Sequence, residues 1–443
     1  MRRFRTLCSR FAPVILLGAI WLSSARAEAA ITLFDSDGWT FQTTGLVAAH
    51  YQLIVGDADP LGGGKNLIGG KLLDEGSAAD QSQTPPTLTM SNIRSGFIGT
   101  QIGFGLSRQI SQTVHIDSLL AGSVNGINSN RGQDIAAPKG IDYREAWAQI
   151  VSPYGTLKFG RMFGLFASGS AAVVAMAYQY GVGHPCIVDA STIACGSVGA
   201  GALYAGFDAA FRYSSPRFAG FQLQVSVTDP NVGNIAKMSP YPRVDTELNF
   251  DQTFGGARIR LIGQSMWDRI EKSTPPAGMT PGTVTALTVW GLMGTALLDV
   301  GPFSAGGGAW TGAGVGERIP LEASDPANPI AWDNTGTLRH FLGFYGNLQA
   351  NLGGTTITAG GGELLVKLTD LDLSQNTTTL TLKDQWEGHL TISHKFANVI
   401  VANVEYMHWH TDWQDDPSMA GVAGYSHFKQ SLNFAGAGLN YIW

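Results

Sequence analysis

Phe221-Gln222-Leu223-Gln224-Val225-Ser226-Val227-Thr228 alternates without a break. Successive side chains of an extended chain point to opposite sides, so the apolar residues share one face of a strand and the polar ones the other. The next stretches repeat the pattern. Val244, Thr246, Leu248 and Phe250 interleave with Asp245, Glu247, Asn249 and Asp251. Ala257, Ile259, Leu261, Gly263, Ser265 and Trp267 interleave with Arg258, Arg260, Ile262, Gln264, Met266 and Asp268. Arg258 and Arg260 decide what the faces touch. Each would cost roughly 2–4 kcal/mol at a bilayer midplane, so the charged face looks into an aqueous lumen and the apolar face meets lipid.

Working outward, the same alternation predicts strands near 38–55, 91–103, 109–122, 141–151 and 155–163. After a long gap come 206–215, 219–228, 242–253, 255–268, 283–299, 301–313, 336–351, 354–367, 383–396, 398–412 and 429–443. That makes an all-β, antiparallel transmembrane barrel of 16 strands, an even number as a single-chain bacterial barrel requires. Short links such as Thr253-Phe254-Gly255 and Gly353-Gly354 alternate with long ones around 229–241, 269–282, 314–335 and 413–428, the asymmetry of periplasmic turns and external loops. The last stretch sets Leu439, Tyr441 and Trp443 on one face, with Phe434 and Ile442 on the lumen side. Trp39, Tyr51, Trp267, Trp409, Tyr441 and Trp443 fall near strand ends, where an interfacial girdle places aromatics. Thr283 to Val300 is apolar on both faces and also suits a buried helix; its Thr, Gly and β-branched content and its place in the series favour a strand. A soluble sandwich or propeller is the competing fold. The polar faces hold too few Lys and Glu for a solvated exterior.

Residues 1–27 have the form of a secretory signal peptide. Arg2, Arg3, Arg5 and Arg10 precede an apolar run from Phe11 to Leu22, and Ala25-Arg26-Ala27 offers a small-x-small cleavage site. The run is short of the roughly 20 residues that span a bilayer. Cys8 leaves with the peptide. Cleavage removes five of the 28 Lys and Arg and none of the 34 Asp and Glu, leaving 23 against 34, a net charge of −11. An exported acidic chain has no basic footprint for nucleic acid. Residues 28–443 then form one barrel domain: charged residues are only 14% of the chain, and no linker divides it. Cys186 and Cys195 stand close together in the long gap; passage through an oxidising periplasm makes a disulfide the expectation, with two unpaired residues as the alternative.

Tyr143-Arg144-Glu145-Ala146-Trp147-Ala148-Gln149-Ile150, followed by Tyr154-Gly155-Thr156-Leu157-Lys158-Phe159-Gly160-Arg161, resembles the fourth and fifth strands of the Gram-negative general diffusion porins. Ile93-Arg94-Ser95-Gly96-Phe97-Ile98-Gly99 resembles their second strand, and Arg212-Tyr213-Ser214-Ser215-Pro216-Arg217-Phe218-Ala219-Gly220-Phe221 a later hairpin. The resemblance implies a water-filled barrel, a homotrimer, and a third external loop folded inward to narrow the channel. The gap at about 164–205 falls where that loop belongs, and a Cys186–Cys195 disulfide would stiffen its tip. Counted from a lipid-facing Phe97, Arg94 points inward; counted from a lipid-facing Trp147, so does Arg144, while Glu145 faces outward; Lys158 points inward opposite Leu157 and Phe159. Asp208 and Arg212 lie inward opposite Phe207, Phe211 and Tyr213. In the family, arginines at the positions of Arg94 and Arg144 belong to a basic wall facing the loop. The chain departs from the family near Gly45 and Gly206, where two basic wall positions are unmatched. Its loop lacks the acidic P-E-F-G-G-D type segment and offers His184 and a single acid, Asp189. An electropositive narrowing is the expectation, weakly anion-selective or nearly unselective, unless Asp245, Glu247 and Asp251 cancel it.

Chemistry for an enzyme is not visible. No G-x-S-x-G, H-E-x-x-H or C-x-x-C occurs, so no catalytic residue, metal site or cofactor is expected. His408 and His410, with Asp412 beyond, have ligand-like spacing, and a girdle beside Trp409 and Trp413 is the favoured reading. The expected function is passive diffusion of small hydrophilic solutes and ions across the outer membrane, in contact with its lipid and lipopolysaccharide. A substrate-specific channel is the alternative, and a barrel-embedded enzyme or an adhesive barrel belongs to another class.

Overall fold

The computed structural model describes residues 30–57, 66–68, 79–80, 87–124, 141–182, 199–229, 236–237, 241–272, 286–315, 330–333, 336–374, 379–415 and 429–443. The signal peptide, Asp189, Cys186 and Cys195 lie outside them, as does the side chain of Arg94. Sixteen strands close into one antiparallel barrel. They are β1 (Trp39–Asp57), β2 (Thr87–Arg94, resuming as Gln101–Gln109), β3 (His115–Val124), β4 (Ile141–Ser152), β5 (Gly155–Phe163), β6 (Phe207–Ser214), β7 (Phe221–Thr228) and β8 (Arg243–Phe254). Then follow β9 (Ala257–Lys272), β10 (Ala286–Val300), β11 (Phe303–Ala313), β12 (His340–Leu352), β13 (Thr355–Lys367), β14 (Thr379–Phe396), β15 (Ile400–Trp413) and β16 (Lys429–Ile442). The ladder from Leu46↔Ile442 to Gly56↔Leu432 joins β1 to β16 and shuts the sheet. Closure removes every edge, the one way a sheet satisfies its backbone in hydrocarbon. A short arm, Ile31–Ser36, folds back on the start of β1.

The pleat follows the alternation. Val47, Tyr51, Leu53 and Val55 are exposed on the outside, while Leu46, His50, Gln52 and Ile54 are buried inside. At one end the hairpins are tight. Gly255 (φ 54) and Gly256 (φ 89), and again Gly353 (φ 57) and Gly354 (φ 93), have positive φ at both positions of a two-residue turn, the geometry that matches strand twist and excludes most side chains.

Several expectations need correction. The second strand spans 87–109 with a break at 95–100, and the third begins at His115 rather than 109. Phe97 does not face lipid: it sits in that break, its N–H bonded to Gly181 O (2.8 Å) and its ring against Tyr204. Trp147 and Glu145 both point inward, 8% and 0% exposed. Trp409 and Trp413 are likewise buried on the inner side, so neither belongs to a girdle with His408 and His410. Phe434 and Ile442 are on the lumen side, as read from the sequence. The segment apolar on both faces is a strand, β10, and the structure supplies the reason. Its outer face carries Leu292 and Leu298 to lipid, while Val289, Met293 and Leu297 join a hydrophobic core inside the barrel.

Candidate functional site: the inner wall and the segment docked on it

That inner core exists because the chain between β5 and β6 lies against the wall. Leaving β5 at Phe163, it turns through Ala167 (φ 74) into helix α1, Ser168–Tyr178, which contacts β10 to β14. The expected structureless gap therefore holds three turns of helix. Its sequence, SGSAAVVAMAY, is nearly all small or apolar, so the axis approaches the wall closely. The wall is cut back to receive it. A Cβ on Gly306 would meet Met176 Sδ at 2.8 Å, and one on Gly291 would meet the Phe166 ring at 2.6 Å. Glycine weakens a strand, so its presence here follows from the close approach.

Inward-facing polar side chains then tie the segment down from β8 round to β16. Ser168 Oγ donates to Glu247 Oε2 (3.1 Å), Asn347 Nδ2 to Val173 O (2.9 Å), and Gln349 Nε2 and Thr358 Oγ1 to Met176 O (2.7 and 3.0 Å). Farther on, Tyr178 Oη reaches Glu387 Oε2 (3.3 Å), Glu405 Oε1 accepts from Val182 N–H (2.8 Å), and Asn440 Nδ2 donates to Tyr180 O (3.0 Å). On the return, Leu203 N–H bonds Ser170 Oγ (2.9 Å) and Trp310 Nε1 bonds Gly201 O (2.7 Å). The acids Glu247, Glu387 and Glu405 thus hold loop hydroxyls and an N–H. Sequence reading missed Glu387 and Glu405 as site residues, because nothing local signals an acceptor for a distant backbone.

The remaining inner arc carries the charges. Arg212 and Lys158 face each other across β5 and β6, and the row continues through Ser226 to Asp245. Lys158 Nζ rests 3.5 Å from the centroid of the Trp147 ring, whose Nε1 donates to Glu145 Oε1 (3.2 Å). Arg212 donates to Phe163 O (2.7 Å). Arg243 pairs with Asp208 (2.9 Å) and Asp245 (3.1 Å). Its place two residues before Asp245, on the same strand face, made Arg243 readable as a lumen residue that the sequence reading does not single out. Toward the tight-turn end, Arg258 pairs with Asp251 (2.6 Å) and Arg260 with Asp299 (3.6 Å). Lys158, Asp208, Arg212, Arg258 and Arg260 therefore lie on the inner side of the barrel. Arg144 has its guanidinium 5.8 Å from the Phe207 ring, and the backbone of Arg94 pairs opposite His50. His408 and His410 stack on Trp386, with His410 Nε2 3.2 Å from Asp412. Among the described residues no group of three or more His, Cys, Asp or Glu is arranged to hold a metal.

The family model of the Gram-negative porins matches residues 16–360. No curated protein matches the sequence. The fold is similar to the outer membrane channel DcaP of Acinetobacter baumannii, at a TM-score of 0.62 and 13% identity over 93% of this chain and 100% of that one. It is similar to the anion-selective porin from Comamonas acidovorans, at 0.58 and 10% over 91% and 100%. It is also similar to the trimer form of OmpT, an outer membrane protein of Vibrio cholerae, at 0.50 and 14% over 92% and 100%. The chain belongs to the Gram-negative porin family and forms an outer-membrane channel for the diffusion of small solutes.

Proposed function

We propose that this channel passes small hydrophilic solutes and ions passively, with little preference for charge, and catalyses nothing. The docked stretches 164–182 and 199–205 set the size limit on this reading, because they take up lumen that an empty barrel of 16 strands would leave open. The observation that carries the weak selectivity is pairing. Arg243, Arg258 and Arg260, the cations an anion filter would need, stand beside Asp208, Asp245, Asp251 and Asp299. A paired wall presents little net field to a passing ion. The expected electropositive narrowing is thereby reduced by the acids of β8, and the reading moves to nearly unselective. Export with loss of residues 1–27, assembly as a homotrimer and contact with lipid and lipopolysaccharide complete the proposal; the trimer form of OmpT supports the assembly.

Two measurements test it. Reversal potentials of the purified protein in a KCl gradient are expected to give cation and anion permeabilities of similar size. Liposome swelling is expected to fall smoothly with sugar size. A strong preference for either ion refutes the paired wall, and one sugar admitted among excluded equals in size refutes general diffusion.

A further inference from the structure

The ladder between β3 and β4 slips at one point. Asp117↔Gln149, Leu119↔Trp147 and Ala121↔Glu145 are followed by Ser123↔Asp142, so one strand advances two residues while the other advances three. This is a β-bulge, a feature that re-aims side chains. In a regular strand the consecutive residues Arg144 and Glu145 would lie on opposite faces. Here both line one half-enclosed cavity of about 70 Å³. It lies between the wall and helix α1, whose Ala171 and Ala175 form one side.

The rest of the cavity is apolar in a particular way. Phe97, Phe163, Tyr204 and Phe207 meet edge to face, with centroids 5.3–6.4 Å apart. Arg144 stands over one of these rings, Phe207. Glu145 is fully buried. Its Oε1 accepts from Trp147, but its Oε2 has no hydrogen-bond partner among the described residues. A buried carboxylate oxygen without a donor is costly, and a ligand that brings one relieves the cost.

We propose that this cavity is a subsite for small zwitterionic solutes with a compact apolar body, the chemistry of a small neutral α-amino acid. The solute's ammonium donates to Glu145 Oε2, its carboxylate accepts from Arg144, and its side chain rests on the aromatic edges. A simple carboxylate brings no donor for Glu145 and a simple amine no acceptor for Arg144, so each makes one of the two hydrogen bonds. A polyol would leave the aromatic walls unused. The inference rests on the channel reading and names a solute class that the channel favours.

The test uses the full-length protein in planar bilayers, with KCl conductance as the independent measure of the channel. L-proline, propionate, propylamine and glycerol are titrated against open-channel current noise. Loss of one charged hydrogen bond weakens binding about tenfold, so proline is expected to saturate at about one tenth the concentration of propionate or propylamine. Glu145→Gln and Arg144→Gln are each expected to raise the proline value about tenfold. If neither variant folds, the comparison of the four solutes on the native protein decides alone. Proline no better than glycerol, with KCl conductance intact, overturns the subsite and spares the channel. Propionate binding as well as proline overturns the zwitterion. A native protein without conductance overturns both readings.

Discussion

Met176 O is the point at which the docked helix is most open to challenge. Near it, Gln179 N–H reaches Ala175 O and Gly181 N–H reaches Tyr178 O, whereas Met176 O takes its two hydrogen bonds from the wall, Gln349 Nε2 and Thr358 Oγ1. The last carbonyls of a helix have no intrahelical donor, so this one depends on the wall. Gln349→Leu or Thr358→Val alone leaves the carbonyl with one donor and is expected to cost about 0.5–1.5 kcal/mol. The double variant leaves a half-buried carbonyl without either wall donor and adds part of the roughly 1–3 kcal/mol penalty of an orphaned buried acceptor. The double loss is therefore expected to exceed the sum of the single losses by about 1–2 kcal/mol, within the range seen for sites that share a partner. Gln349 Nε2 also donates to Thr358 Oγ1 (3.1 Å), which ties the two sites further. Guanidinium unfolding of the four proteins in one detergent measures the cycle. Single-channel recording adds a functional readout, since a helix released from its wall is expected to raise open-channel noise in the double variant alone. Strictly additive losses with unchanged noise would refute the tether.

Other outcomes follow from the same geometry. A Cβ on Gly45 would run into the Trp443 ring, and Gly45 N–H and Trp443 N–H exchange hydrogen bonds (2.8 and 3.1 Å) at the seam, so Gly45→Val is expected to cost about 1–3 kcal/mol or more and reduce the heat-resistant folded band. Gly294→Ala, which meets nothing within 4 Å, serves as the control and is expected to leave that band unchanged. Asp251→Asn frees Arg258 and is expected to shift reversal potentials toward anions; Arg258→Gln frees Asp251 and is expected to shift them toward cations. Equal shifts of one sign would exclude the pair as a filter element. Between the strands, burial raises the Asp372 carboxyl, but the Arg339 guanidinium at 2.7 Å and the Thr369 N–H and hydroxyl prevail and hold it below the usual range. Its contribution is then fully present above the unfolded value of about 3.9 and is lost as pH falls through the lower folded one. Protease sensitivity of this loop is expected to be flat from pH 5 to 8 and to rise only below about pH 4. Arg339→Met strands the buried acid at a cost of about 3–5 kcal/mol and is expected to open the loop at every pH.

The barrel was legible because lipid and water sort side chains on a period of two, and the strand series with its closure came straight from it. Arg258 and Arg260 fixed the inner face for β9, and its neighbours β7 and β8 followed in register. Reading failed where a second layer of protein covers the wall from inside. There an inward residue meets neither lipid nor water, so its chemistry stops reporting its side. Trp147, Phe97 and Trp409 were placed outward or in a girdle because they are aromatic; Trp147 and Trp409 are instead buried within, and Phe97 is half-buried against Tyr204. Glu145 was placed outward by parity from Trp147; that residue's true direction reverses the count, and the bulge at 142–145 brings Arg144 to the same cavity. No composition rule marks a bulge that short.

The docking surface did leave a trace, visible once its cause is known. β10 is apolar on both faces, and β11 to β13 carry inward glycines where a strand normally carries side chains. Each such glycine costs roughly 0.5–1 kcal/mol relative to alanine, so several on one wall call for a compensating contact. Gly306 faces Met176 and Val173; Gly343 faces Trp310 and Gly201 O; Gly362 faces Ala200 O. All three oppose the described parts of the segment, 164–182 and 199–206, or the tryptophan that bonds to it. A channel needing only a narrow lumen would gain nothing from that arrangement, because side chains on these strands would narrow it as well as a loop does. What a separate loop adds is a second surface, and with it a crevice between loop and wall where Arg144 and Glu145 meet four aromatic rings. Helix α1 thus lies against the wall and completes a cavity with it, and inward glycines such as Gly306 are what let it lie so close.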